Sequence, residues 1–323
     1  MQTPPKCGNR RIPADWRGRR LDLTLVDLEP GYNRSRWQAW IKAGHVQLAG
    51  ETITRPGHPV EGDDTVAWDL PDVPPAQDSH GQVVRKVTIL HLDESIVVVD
   101  KPAGLLSHRN RPDQAPAVPE LLATEIGALP EGPEPGRPGV VHRLDRGTSG
   151  VMVLARTAEA MEALMHAFAE RQVEKVYAAL CLGVPRFESE WIHEPIERDP
   201  RKPDRRRIAA PGEGKEASTL MKCVERYGQV ACLVNAEPKT GRTHQIRVHL
   251  AARGLPILGD VLYRPRSSRE KDLPRACTSL PRPALHASRL RFRHPVTGEP
   301  LQFEAPWPED LSAARAALSA LAK

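Results

Sequence analysis

The sequence is poor in several features that would classify it quickly. Only 4 % of its 323 residues are aromatic, and its 5 cysteines, Cys7, Cys181, Cys223, Cys232 and Cys277, are scattered with no C-x-x-C pair. That spacing argues against a thiolate zinc site and a disulfide framework, and it suits a reducing cytoplasm. Some of these cysteines are expected in buried strands, the usual place of a free thiol. No apolar run approaches a membrane span, since the longest clean ones, "IVVV" and "VMVLA", are strand-sized. The opening twenty residues lack the apolar core of a secretory signal. Neither G-x-x-x-x-G-K-[ST] nor G-x-G-x-x-G occurs, so no phosphate or dinucleotide loop is expected, and "RGTSGV" lacks the G-x-S-x-G elbow of a serine hydrolase. His142, His244, His249, His286 and His294 offer no helical i, i+4 pair and no adjoining carboxylate cluster, which argues against a metal site.

Positive charge is present, and it is uneven. The net charge is +5, yet the first twenty residues hold Lys6, Arg10, Arg11, Arg17, Arg19 and Arg20 against Asp15 alone. A second cluster, "ERDPRKPDRRR", runs from Glu197 to Arg207. Either could be a solubilising surface, but two such clusters together point to a polyanion such as nucleic acid. With 40 % hydrophobic residues the chain can build a substantial core, and its length suits one large domain with a smaller one attached.

Residues 1–16 read as a basic arm and residues 17–70 as a small unit. Leu21, Leu25 and Leu28 recur at helical spacing, and "SRWQAWIKAG" reads as a second helix with Ser35 as N-cap, Gln38 three residues on and Gly44 at its end. Trp37, Trp40 and Ile41 form its apolar stripe, and Arg34, Arg36 and Lys42 its charged face. Short strand-like pieces follow. Residues 71–85 are proline-rich and aperiodic, a linker. Residues 86–310 are strand-dominated with inserted helices: "KVTILHLDESIVVVDKPAG" reads as two strands, "GVMVLA" as a buried strand, and "TAEAMEALMHAFAER" as a helix capped by Thr157. "THQIRVHLAARG" reads as a helix ending at Gly254, "PALHASRLRFRHPVTGEPLQFEAP" as a hairpin turning at Thr297–Gly298, and residues 311–323 as a terminal helix. The pattern indicates an α+β fold rather than a doubly wound sheet.

The stretch "HRLDRGTSG", His142 to Gly150, sets one carboxylate, Asp145, between Arg143 and Arg146 and beside His142. Asp145 could be a salt-bridged loop residue, a metal ligand, the organiser of a phosphate site or a catalytic group. Arginine neighbours typically lower a carboxyl pKa by about 1–3 units, so such a group is a poor proton donor but a competent nucleophile or stabiliser of positive charge. A hydrolytic glycosidase would want a second acid in a defined role, and none has comparable surroundings.

Several stretches together carry a resemblance that decides between these readings. "HRLDRGTSGVMVLART", "EKVYAAL", "TGRTHQIRVHLAARGLPILGD", "VVVDKPAGLLSH" and "PALHASRLRFRHPVTGE" resemble, in order and spacing, the motifs of the RluA-type pseudouridine synthases. Residues 17–70 resemble the small RNA-binding domain first recognised in ribosomal protein S-four. The two-part layout is similar to that of the large-subunit ribosomal RNA enzymes of the RluC and RluD kind.

The resemblance implies an S-four-like RNA-binding domain followed by a catalytic domain on a mainly antiparallel mixed sheet with flanking helices. It implies isomerisation of specific uridines to pseudouridine in large-subunit ribosomal RNA, alone or in a pre-ribosomal particle, by a cytoplasmic monomer with no cofactor and no membrane. Asp145 would be the catalytic residue, Arg247 its ion-pair partner, and Tyr177 the aromatic packed on the target base. Arg143 would fill the gap left by the flipped-out uridine, and Leu250 would line the pocket. Arg242, with Arg34, Arg36 and Lys42 of the small domain, would bind RNA. The alternatives are the same reaction on transfer RNA, and a non-catalytic RNA-binding ribosome-assembly protein. Gly147, where relatives often carry an acid, and the basic stretch 263–283 depart from the family pattern and bear on target choice.

Overall fold

A computed structural model describes residues 6–30, 32, 34–71, 76–109, 114–134, 136–264 and 271–321. The start of the expected basic arm, residues 72–75 of the linker and residues 265–270 of the 263–283 stretch lie outside them. The chain divides into two compact units, Met1–Pro75 with Arg109–Ala115, and Ala76–His108 with Pro116–Lys323.

The small unit contains β1 (Cys7–Arg11), α1 (Leu21–Leu28), α2 (Arg34–Lys42), β2 (Val46–Leu48), β3 (Glu51–Thr52) and β4 (Thr65–Asp69). Its strands pair antiparallel in the order β1-β4-β2-β3. Strand β1 was not anticipated within the basic arm: four of its five residues are exposed, so it has no apolar alternation to announce it. The stripe on α2 packs as its spacing requires. Trp37 and Trp40 are buried and meet Tyr32 edge-on, and Trp37 also meets Trp68 of β4. Helix α2 starts at Arg34, one residue ahead of the expected cap. The Gln38 amide donates to Asp22 of α1 at 2.5 Å. Asp22 is fully buried, and also accepts from Arg20 at 3.0 and 3.1 Å and from Arg34 at 3.0 Å. This ion cluster pins α1 to α2.

The large unit contains, in chain order, β5 (Thr88–Leu92), β6 (Ile96–Lys101), α3 (Val118–Ile126), β7 (Ser149–Ala155), α4 (Ala158–Ala169), β8 (Glu174–Leu182), β9 (Ser189–Ile192), β10 (Ile196–Arg198), β11 (Arg206–Ile208), β12 (Thr219–Tyr227), β13 (Ala231–Pro238), α5 (Gln245–Ala252), α6 (Arg275–Thr278), β14 (Leu285–Arg293), β15 (Pro300–Glu304) and α7 (Glu309–Leu321). Nine of these strands form one sheet, ordered β5-β6-β7-β14-β8-β13-β12-β9 with β15 also paired to β14. The β7–β14 pair is parallel and the other pairs are antiparallel, which is the mixed α+β sheet expected. The second basic cluster forms the separate β10–β11 hairpin.

Strand β7 shows why "VMVLA" is continuous rather than alternating. Met152 and Leu154 pack with Leu105, Val118 and Leu122, while Val151 and Val153 pack with Met161 and Leu164 of α4 and with Phe292. Both faces of the strand are therefore covered. Gly150 at its start has φ +113°, and a Cβ there would stand 2.2 Å from the Ala287 carbonyl oxygen, so only glycine permits this approach to β14. The Thr157 hydroxyl accepts from the Ala160 N–H and caps α4. Helix α5 closes at Gly254, at φ +72°, with the Gly254 N–H on Ala251 O and the Leu255 N–H on Leu250 O.

Candidate active site

The loop that brings residues 142–148 to β7 is fixed on both sides of Asp145. The Ser107 hydroxyl accepts from Leu144 N–H at 2.9 Å and donates to Leu144 O at 2.8 Å. On the other side, Gly104 N–H donates to Arg146 O at 2.7 Å, and Arg146 Nε donates to Gly104 O at 2.9 Å. Lys101, fully buried, donates to Leu105 O at 2.8 Å, Pro102 O at 3.0 Å and Arg146 O at 3.5 Å. Burial brings its pKa down to about 7, against the opposing pull of Asp145. The "DKPAG" turn thus holds the loop that carries Asp145.

Asp145 faces a cavity of about 380 Å³ and is the only carboxylate on its wall among the described residues, amid Arg143, Arg171, Lys175, Lys239, Arg242 and Arg247. The flanking arginines do not pair with it. Arg146 is bound to Gly104, and Arg143 is exposed at the cavity with no ion pair to a described residue. The partner from α5 is Arg247, whose Nη1 lies 3.4 Å from Asp145 Oδ2, with His244 Nε2 at 3.9 Å from the same oxygen. Asp145 Oδ1 accepts no hydrogen bond from a described residue.

Arg247 is held by a residue that the sequence reading did not single out. Its Nε and Nη2 donate to Asp260 at 2.7 and 2.8 Å, and Asp260 is fully buried. The Tyr263 ring lies 5.0 Å from the guanidinium carbon. Both residues follow the "LPILG" run, and the one signal for them was an acid directly after an apolar stretch and a glycine.

Tyr177 of β8 stands at the cavity with Ala236 and Ala287 opposite it in the neighbouring strands, where small side chains leave its ring room. Burial raises its phenol pKa, and Asp145 adds to the rise, so the ring stays neutral. Lys175, two residues earlier on the same face, has its pKa lowered to about 8 by burial and by Lys239. Arg242 also lines the cavity, and its Nε donates to Glu216 O. Leu250 does not line it. The side chain is fully buried among the core residues of α5, β13 and α7, because the helix turns that position toward the sheet. Ile246 and Leu285 supply the apolar wall.

Arg34, Arg36 and Lys42 belong to the small unit. Arg34 is tied to Asp22, Arg36 lies over Trp40 at 4.4 Å, and Lys42 is exposed. His142 and His249 serve as scaffold. His142 accepts from Val153 N–H and stacks on Phe168, with burial taking its pKa to about 3. His249 bonds Thr219 and Glu194 O.

The cations on this cavity wall give it the charge that suits a polyanionic ligand. Residues 95–252 match the RNA pseudouridylate synthase family, and residues 19–66 match the S4 domain. The chain is 39 % identical over 319 residues to ribosomal large subunit pseudouridine synthase D of Xanthomonas campestris pv. campestris, covering 95 % of this chain and 91 % of that one. It is 36 % identical to the protein of the same name from Neisseria meningitidis serogroup A, covering 93 % and 79 %. Among solved structures, human RNA pseudouridylate synthase domain containing 1 superposes with a TM-score of 0.55 at 27 % identity, over 70 % of this chain and 86 % of that one. The chain belongs to the RNA pseudouridylate synthase family, with an S4 domain ahead of its catalytic unit.

Proposed function

We propose that this protein converts specific uridines of large-subunit ribosomal RNA to pseudouridine, with Asp145 as the catalytic residue. The observation that carries the reading is the asymmetry of the carboxylate: Oδ2 faces Arg247 and His244, while Oδ1 is left to the cavity. The reaction breaks the N1–C1′ bond of the nucleotide and makes a C5–C1′ bond to the same base. A proton leaves C5 and one is gained at N1, so neither water nor a hydride is consumed. A carboxylate that faces a guanidinium and leaves one oxygen to the cavity suits a step in which the sugar carbon gains positive character.

The base must leave its stack to reach this cavity. Tyr177 offers a neutral aromatic face for it, and Arg143, exposed at the cavity, would occupy the vacated stack. Arg242 and the cations of the cavity wall would hold the flanking phosphates, with Arg36 and Lys42 of the S4 domain adding affinity. The names of the relatives support the large ribosomal subunit as the source of the RNA. Action as a monomer in the cytoplasm is part of the same proposal. No helix among the described residues is long and apolar enough to cross a membrane.

The test is site-by-site mapping of pseudouridine in ribosomal and transfer RNA from cells with the protein, without it, and with Asp145→Asn. Particular large-subunit uridines should lose modification in both defective strains. Loss at transfer RNA sites would move the substrate, and full modification with Asn at 145 would remove Asp145 from the chemistry.

A further inference from the structure

The polar groups beside Asp145 include a chain that the reaction as described leaves unused. Tyr263 is 6 % exposed, and its hydroxyl meets two partners. Arg206 N–H, on β11 of the basic hairpin, donates to it at 2.7 Å, and His244 Nδ1 lies 2.8 Å away. His244 in turn points Nε2 at Asp145 Oδ2, 3.9 Å off. His244 has φ +60°, a left-handed conformation uncommon for a residue with a side chain, and it precedes the first turn of α5. The backbone is held in that region while the ring spans Tyr263 and Asp145.

The direction of the protons follows from counting donors. The amide of Arg206 can only donate, so it occupies a lone pair of the phenol oxygen. The one hydrogen of the phenol then needs an acceptor inside a buried site, and the described residue within reach is His244. If Nδ1 carried a hydrogen as well, the phenol hydrogen would be left without an acceptor. Nδ1 is therefore the acceptor, and in the neutral ring the hydrogen sits on Nε2, facing the carboxylate. Burial holds the imidazole below its usual pKa, more than Asp145 raises it, which keeps the ring neutral.

We infer that Tyr263 is a positioning residue, which fixes His244 as the Nε2–H tautomer so that an N–H dipole is aimed at Asp145 Oδ2. The inference rests on the reading of Asp145 as the catalytic residue and adds a group that orients it. Arg247 and His244 then converge on one oxygen from two sides, and the rotation that would exchange Oδ1 for Oδ2 is opposed. The contact at 3.9 Å is longer than a hydrogen bond and is expected to shorten when the cavity closes on RNA. Tyr263 also lies against Arg205 and Arg247, at 5.2 and 5.0 Å from the guanidinium carbons, so its ring has a packing role that its hydroxyl does not share.

Tyr263→Phe separates the two roles, since it keeps the ring and removes the oxygen. In full-length protein labelled with ¹⁵N-histidine, the two-bond ¹H–¹⁵N spectrum should show His244 as Nε2–H, its signals assigned by their loss in His244→Gln. In Tyr263→Phe that tautomer should no longer be fixed. The single-turnover rate of tritium release from large-subunit ribosomal RNA carrying [5-³H]uridine should fall roughly 10–100-fold, with little change in RNA affinity. In a His244→Gln background the same substitution should change the rate less than about twofold, because the ring it orients is gone. A His244 found as Nδ1–H, or a Tyr263→Phe protein with wild-type turnover, overturns the inference. Wild-type turnover in Tyr263→Phe together with loss of turnover in Asp145→Asn refutes the role of Tyr263 alone. Full turnover in Asp145→Asn refutes the reading beneath it, and the tautomer is read independently of both.

Discussion

Arg247 is divided unequally between two aspartates, with Nε and Nη2 on Asp260 at 2.7 and 2.8 Å and only Nη1 toward Asp145, at 3.4 Å. Asp260 is the anchor and Asp145 the group held at a distance. The pair is buried, so removing the anchor leaves a buried guanidinium with only its longer contact to Asp145. Asp260→Ala is expected to lower the unfolding free energy by about 3–5 kcal/mol, read from urea denaturation. Arg247→Lys keeps the charge and loses the planar fork, so it should lose most pseudouridine formation while still binding RNA. Wild-type activity with lysine would show that charge alone suffices.

Lys101 makes a prediction of opposite character, because the fold holds it against its own solvation. Its pKa is about 7 when folded and 10.5 in the unfolded chain. Between those values the unfolded chain binds the extra proton, so raising the pH favours the folded state. Below about 7 both states are protonated and this dependence ends. The stability difference between wild type and Lys101→Met should therefore move in favour of wild type as pH rises through that window. Denaturant midpoints at its two ends measure it, and parallel curves for the two proteins would mean that Lys101 titrates as an exposed lysine.

Which parts of this were legible in the sequence follows from the range of the interactions. Periodicity gave α2, α4 and α5, since Trp37 and Trp40, Met161 and Leu164, and Ile246 and Leu250 each mark one face over one or two turns. Asp145, Tyr177 and Arg247 were legible through the family resemblance of the stretches around them. Asp260 and Tyr263 were not, although "LGD" ends one of those stretches, because their partners are 13 and 19 residues away along the chain. A salt bridge closed by a turn leaves no pattern in local spacing. Leu250 faces inward as its spacing requires, but helical spacing tells which residues share a face and not whether that face meets a cavity or a sheet, so the pocket-lining place that the resemblance implied for it was not legible. The β10–β11 hairpin was hidden by its own composition, since proline and arginine dominate the segment and apolar alternation is absent.

Asp22 carries the acid sensitivity of the small unit. Burial alone would raise its pKa, but bonds from Arg20, Gln38 and Arg34 outweigh it and hold the carboxyl at about 2, against 3.8 unfolded. A depressed acid contributes stability that is present above the unfolded value and is lost as pH falls through the folded one. Asp22→Asn should destabilise the unit at neutral pH, and the gap to wild type should close as pH falls from about 4 toward about 2. Trp37, Trp40 and Trp68 are buried in this unit while Trp191 and Trp307 belong to the large one, so the emission of a Trp191→Phe, Trp307→Phe protein during urea titrations at several pH values reports it. A gap that stays constant through that range would mean the carboxyl is bound no more tightly when folded than when unfolded.

The β10–β11 hairpin offers the last prediction, because its tip is built to present charge. Asp199 Oδ1 accepts from the backbone N–H of Arg201 at 2.9 Å and of Lys202 at 3.3 Å, closing the turn and leaving both side chains exposed. Arg207 at the base is instead neutralised by Glu197 at 2.7 Å. Arg201 and Lys202 are thus cations of the hairpin tip available to phosphate, and each phosphate contact releases counterion with a slope of about 0.7–0.9 in log affinity against log salt. The double substitution Arg201→Ala, Lys202→Ala should flatten that slope for ribosomal RNA fragments by about 1.4–1.8. Arg207→Ala should change it little, since its charge is already engaged. Filter binding over a salt series measures both, and an unchanged slope in the double variant would place the hairpin away from the RNA.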